Sequence, residues 1–141
     1  ATPGAIAYVS YDRVLRDKLM AVKLRNAAGR FVLPSERAFS AAVLESDMHR
    51  LGDDLATLLD RPGADAWPIT LTSFVLVDAE PATGAQAQGA LKFLYWCFMH
   101  GDDLTRGSGF APLPISVQSR LAVRFTQVRP REGQLPVYQS F

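Results

Sequence analysis

The run DAWPITLTSFVLVD, residues 65–78, constrains the fold more than any other stretch of this chain. Proline fixes its own φ and pushes the residue before it toward extended geometry, so Trp67-Pro68 forms a stiff crossover. Behind it Ile69, Leu71 and Ser73 alternate, and residues 74–77 are continuously apolar, the pattern of a strand entering the interior of a sheet. An interior strand needs neighbours, and the flanking segments supply candidates.

Residues 4–9, GAIAYV, are small and apolar and predict a short buried strand. YDRVLRDKL then offers a helix with Tyr11, Val14 and Leu15 on one face. Two short extended runs around Gly29 predict a hairpin-like unit ended by Pro34. Ser35 is an N-cap for ERAFSAAVLES, with Phe39, Val43 and Leu44 on one helix face. The pattern through Leu51, Leu55, Leu58 and Leu59 predicts a second helix over 47–61, interrupted by Gly52 and stopped by Pro62-Gly63.

After the turn-rich AEPATG, residues 85–104 are long enough for five helical turns. The central block of Phe93, Leu94, Trp96, Cys97, Phe98 and Met99 is apolar on nearly every side. Burial within the fold is the plainer expectation for it, and a contact surface is the alternative. Pro114 fits the start of a last helix with Val117, Leu121 and Phe125 inward. The tail from Arg129, with two prolines and a glycine, is expected to wrap over the surface.

A chain of 141 residues can bury roughly 68% of its unfolded surface, enough for a real core. Its net charge of +1 provides no field to attract nucleic acid or anionic lipid. Arg120, Arg124, Arg129 and Arg131 form only a mild cluster with no stacking aromatics between them, so no nucleic-acid partner is expected. No apolar run approaches the roughly 20 residues of a membrane helix, and the N-terminus does not read as a signal peptide, which predicts a soluble chain with no membrane span. The single cysteine, Cys97, excludes an internal disulfide and reads as a buried apolar thiol.

Catalytic and metal chemistries find little purchase. His49 and Asp53 share a helix face, but one imidazole and one carboxylate leave a metal shell half empty, and a solvated face is favoured. His100, before Gly101, reads as a cation at a helix C-terminus. Neither histidine has a nucleophile motif around it, so no enzyme and no cofactor is expected. Arg106, Ser108 and Gly109 imitate a phosphate cradle, because glycine-flanked amides can form an anion nest. A flexible loop ending a helix is the plainer reading of that segment.

Three patterns in register, PGAIAYVSY at 3–11, DAWPITLTSFVLV at 65–77 and GFAPLP at 109–114, resemble the carboxy-terminal part of the periplasmic phosphate-binding proteins of bacterial ABC phosphate transporters. The segments NAAGRFVLPSERAF and ALKFLYWCFMHG agree with the same pattern. The resemblance covers essentially the whole chain up to its tail. It implies an α/β fold, part of a type II periplasmic-binding-protein architecture, with residues 1–66 in one lobe, 67–70 as the crossover and 71–141 in the other. It implies a hinge at Trp67, Pro68, Ile69 and Thr70, a periplasmic location, phosphate as ligand without a cofactor, and an ABC permease as partner.

Family members are about twice this length or more, and their phosphate ligands come mainly from motifs that cannot be matched to residues of this chain. Two incomplete lobes should expose strand edges, so self-association or pairing with the missing half is expected. The reading that follows is phosphate capture for ABC uptake. The alternative is a stand-alone interaction or oligomerisation module that kept the scaffold and lost the ligand residues.

Overall fold

A computed structural model describes residues 2–131 and Val137. Five helices and one small hairpin follow one another: α1 (Tyr11–Arg16), β1 (Leu24–Arg25), β2 (Phe31–Val32), α2 (Glu36–Leu44), α3 (Asp47–Arg50), α4 (Gly84–Thr105) and α5 (Ile115–Arg124). A single 3-10 turn, Phe125–Gln127, closes α5. Mixed helix with a small sheet agrees with an incomplete α/β unit.

The hairpin forms where it was expected. β1 and β2 are antiparallel, Leu24 opposite Val32 and Arg25 opposite Phe31. Asn26 closes the loop twice over. Its backbone amide donates to the Arg30 carbonyl at 2.9 Å, and its side-chain oxygen accepts from the Arg30 amide at 3.0 Å. The Asn26 amide group then reaches across the molecule, donating to the carbonyls of Gly63 (3.2 Å), Ala64 (3.0 Å) and Ala66 (3.1 Å). Asn26 is only 4% exposed and Ala66 is fully buried, so the Ala66 carbonyl depends on this side chain rather than on water.

Ser35 caps α2 as its position suggested, its hydroxyl accepting from the Ala38 amide at 3.2 Å. The helix buries Ala38, Ala42 and Val43. The predicted helix over 47–61 is cut to four residues. Gly52 adopts φ 78°, a left-handed geometry that ends a helix. Downstream, Asp53 Oδ1 accepts from the Leu55 amide and Thr57 Oγ1 from the Leu59 amide, local bonds that replace the helical ladder. Of the four leucines, Leu58 is buried, while Leu51, Leu55 and Leu59 are exposed.

Two apolar clusters hold the chain. One joins Val43, Met48, Leu58 and Val117, with Ala56, Leu113 and Leu121 against it, so α5 packs on the α2–α3 unit across the crossover. The other joins Ala87 and Leu91 of α4 to Val128 and Val137, with Tyr95 and Phe125 alongside. Phe98 stacks on Phe125 with centroids 5.9 Å apart. The face of α4 on the 87, 91, 95, 98 spacing is therefore inward, as helical periodicity requires. Val137 is buried and its amide donates to the Val128 carbonyl, while the surface path expected for the rest of the tail, 132–136 and 138–141, falls outside the described residues.

Three expectations are corrected. Residues 4–9 and 69–78 are not strands: β1 and β2 make the one sheet among the described residues, and a strand cannot exist without a neighbour to take its amides. The central block of α4 is not buried as a whole, for Phe93, Trp96 and Met99 face out while Leu94, Cys97 and Phe98 are half-buried. His100 is no helix-terminal cation, because α4 runs on to Thr105; its ring instead lies 5.2 Å from that of Trp96.

Replacing Asn26 with Ala should lower unfolding free energy by about 1–3 kcal/mol in urea titration, since the buried Ala66 carbonyl loses its donor and the hairpin loses its side-chain bond to Arg30. Leu91→Ala, in the α4 cluster, should cost about 2–4 kcal/mol, whereas Leu55→Ala, on an 84% exposed leucine, should stay within about 0.5 kcal/mol.

Candidate functional site

The crossover is assembled by bonds from three directions. The Trp67 amide donates to the Ala38 carbonyl of α2 at 3.1 Å. The Asp60 amide donates to the Pro68 carbonyl at 2.9 Å, with Asp60 itself at φ 48°. Thr70 is buried, and its hydroxyl donates to the Trp67 carbonyl at 3.0 Å. Thus Trp67, Pro68 and Thr70 are held by neighbouring backbone, while Ile69 faces solvent.

Beside the crossover, Val32, Leu33, Ser35, Arg37, Ala38 and Asp65 line an open cleft of ≈ 310 Å³. Asp65 stands between two arginines, 3.0 Å from Arg37 and 3.6 Å from Arg30. All three are substantially exposed, so these pairs add little to stability and serve mainly to orient the rim. Sequence reasoning did not single out this rim, because the three charges meet only once Asn26 brings residues 63–66 onto the hairpin.

The loop of Arg106, Ser108 and Gly109 makes its bonds within the protein. The Arg106 guanidinium pairs with Asp103 at 2.8 Å. The Gly107 amide donates to Glu36 Oε1 at 2.8 Å, so a carboxylate from the first turn of α2 occupies one amide of the nest. Ser108 Oγ accepts from the Phe110 amide at 3.2 Å. Gly109 is buried at φ 91°, and a Cβ there would lie 2.7 Å from both N and Cα of Asp12. The loop thereby lets the start of α1 approach closely, where Tyr11 also meets Phe39 edge-on at 5.4 Å. At the same place the Asp12 carboxyl is held below its ordinary range, first by a hydrogen bond from Ser10.

On the opposite side, Asp54 receives Arg120 at 2.9 Å and pairs also with Arg124. Arg120 donates in addition to the Met48 carbonyl at 2.9 Å. Two of the four clustered arginines thus fasten α5 to the α3 region. A third, Arg131, binds the Glu80 carbonyl at 3.0 Å through its guanidinium. Among the described residues no group of three or more His, Cys, Asp or Glu side chains could hold a metal ion, and no helix is long and apolar enough to cross a membrane. His49 is half-buried, and the Asp53 carboxylate is turned to the Leu55 amide.

These arrangements offer positioned backbone, charged rims and exposed apolar faces. Comparison with known proteins adds that the chain resembles binding proteins rather than enzymes. The relatives are phosphate-binding proteins PstS. That of Xylella fastidiosa is 35% identical over 111 residues, covering 79% of this chain and 30% of the relative. The Haemophilus influenzae protein is 31% identical over 117 residues (83% and 35%), and the Methanocaldococcus jannaschii protein 27% identical over 128 (83% and 33%). No family model matches the chain. The chain therefore spans about a third of the length of the curated relatives it matches.

Gly109→Ala should cost about 1–3 kcal/mol and speed amide exchange in α1, because the backbone of Asp12 cannot yield as a side-chain tip would. Gly107→Ala, with nothing within 4 Å of the added methyl, should cost only about 1 kcal/mol for its left-handed φ.

Proposed function

We propose that this chain serves phosphate capture for uptake by an ABC transporter, as the C-terminal segment of a phosphate receptor. The observation that carries the reading is the similarity to phosphate-binding proteins over 79–92% of the chain. In this reading the receptor works in the periplasm and delivers its ligand to an ABC permease. Residues 1–66 and 71–141 contribute to two lobes, and Trp67, Pro68, Ile69 and Thr70 are the hinge between them. A hinge needs a few residues that absorb backbone change between stiff elements, and a Pro-locked pair behind Gly63-Ala64 has that character. The phosphate ligands lie chiefly in the portion of the relatives that this chain does not match, and Arg106, Ser108 and Gly109 are a subsidiary anion loop at most.

The test is isothermal titration with phosphate, and sulfate as control, on two polypeptides. The 141-residue chain alone should give no saturable heat. A single polypeptide joining the unmatched portion of the Xylella fastidiosa relative to this chain should give saturable heat with phosphate and none with sulfate. A folded fusion silent toward both anions counts against the reading. Saturable heat from the chain alone would move the site onto Arg106 to Gly109.

A second reading is a stand-alone interaction module, favoured by Phe93, Trp96 and Met99 lying together on the outer face of α4. It predicts self-association at micromolar concentration with no dependence on anions, measurable by light scattering.

A further inference from the structure

Most of the backbone in the crossover is already committed to bonds on its hairpin and α2 side. The Trp67 amide donates to the Ala38 carbonyl at 3.1 Å, and the Pro68 carbonyl accepts from the Asp60 amide at 2.9 Å. The Trp67 carbonyl accepts the hydroxyl of Thr70 at 3.0 Å, and Thr70 is only 5% exposed. The proline ring locks the φ of residue 68 besides. Turning either torsion of Trp67, ψ of Pro68 or either torsion of Ile69 breaks at least one of these bonds. The first backbone torsion free to turn is ψ of Thr70.

The crossover inherits its position from the turn before it. The Ala66 amide donates to the Gly63 carbonyl at 3.1 Å, and Gly63 lies so close to the end of α2 that an added Cβ would stand 2.8 Å from Glu45 Cγ. Asn26 supplies the remaining hold, donating to the carbonyls of Gly63, Ala64 and Ala66. An amide nitrogen carries two hydrogens, here shared among three acceptors, so a shift of the turn in any direction lengthens at least one bond. The side chain cannot flip either, because its oxygen faces the Arg30 amide at 3.0 Å.

We propose that Asn26 is the positioning residue of the hinge: it fixes residues 63–70 to the body of the hairpin and α2, so that the backbone change of opening and closing is taken up past Thr70 and not at Trp67-Pro68. The assignment rests on the phosphate-receptor reading for the existence of a closing motion. It deepens that reading by narrowing the hinge to its trailing end and by giving a residue about 40 positions upstream control of the direction in which the chain leaves it. Asn26 touches no ligand and acts through the turn alone.

The discriminating variant is Asn26→Asp, which keeps an oxygen for the Arg30 amide but turns a second oxygen, in place of a donor, toward the three carbonyls. Asn26→Ala removes the donor without adding charge and should act the same way. In the 141-residue chain, amide hydrogen exchange at Asp60, Ala66 and Trp67 should track that of Ala42 and Val43 in α2. Either variant should speed exchange at the first three by about tenfold and leave α2 unchanged. In the single polypeptide joining the unmatched portion of the Xylella fastidiosa relative to this chain, either variant should weaken phosphate binding about tenfold by isothermal titration, because a smaller fraction of molecules holds the geometry that can close. Leu91→Ala, which loosens the other apolar cluster, should change that affinity by less than about twofold.

Exchange that quickens as much in α2 as in the crossover would make Asn26 a prop of the whole fold and overturn the proposal. So would variants that bind phosphate as tightly as the parent fusion, or a loss of affinity matched by Leu91→Ala. A parent fusion that stays silent toward phosphate sinks the receptor reading, and the exchange pattern of the chain alone still decides whether residues 63–70 ride with α2.

Discussion

The arrangement of the first half of the chain depends on the side chain of Asn26. Its oxygen and its own backbone close the hairpin on Arg30, while its amide group gathers the carbonyls of Gly63, Ala64 and Ala66. Without that donor, the buried Ala66 carbonyl would sit beside the hairpin with no partner. With it, the turn preceding the crossover is seated beside β2 and α2, and Trp67 falls within reach of the Ala38 carbonyl. The direction in which Pro68 launches the next segment follows from that seat. A buried polar group fully satisfied on both its ends specifies geometry in a way an apolar contact of equal area would not.

Around this seat the apolar packing is divided. α5 closes over α2 and α3, and α4 takes Val128 and Val137. Between the two clusters the described residues leave much apolar surface in water, concentrated on residues 4–9, residues 69–78 and the outer face of α4. Polar ties run between elements within the unit: Asp54 with Arg120 and Arg124, Glu36 with the Gly107 amide, Arg131 with the Glu80 carbonyl.

That division bears on function. A phosphate site needs several donors converging on one point, in a place water does not compete. Here the amide of the Gly107 nest serves Glu36, and the Arg106 guanidinium serves Asp103. Both groups of the loop are thus engaged within the chain.

Local chemistry made several elements legible in the sequence alone. Ser35 before a helical run, Gly29 between two extended runs, Pro114 before an amphipathic stretch and the long apolar-rich pattern of α4 all formed where their residues indicated, because capping, turn geometry and helical periodicity act over a few residues. The early end of α3 was missed, since Asp53 and Thr57 bonding their own neighbours is a competition that periodicity does not register. The sequence marks Trp67-Pro68, but not the Asn26 clasp that seats the turn before it, which joins residues 37 to 40 apart. Most telling is Ile69–Asp78: its residues alone settle that it is largely apolar, and tertiary structure decides whether it is a strand, because a strand's hydrogen bonds belong to its neighbours.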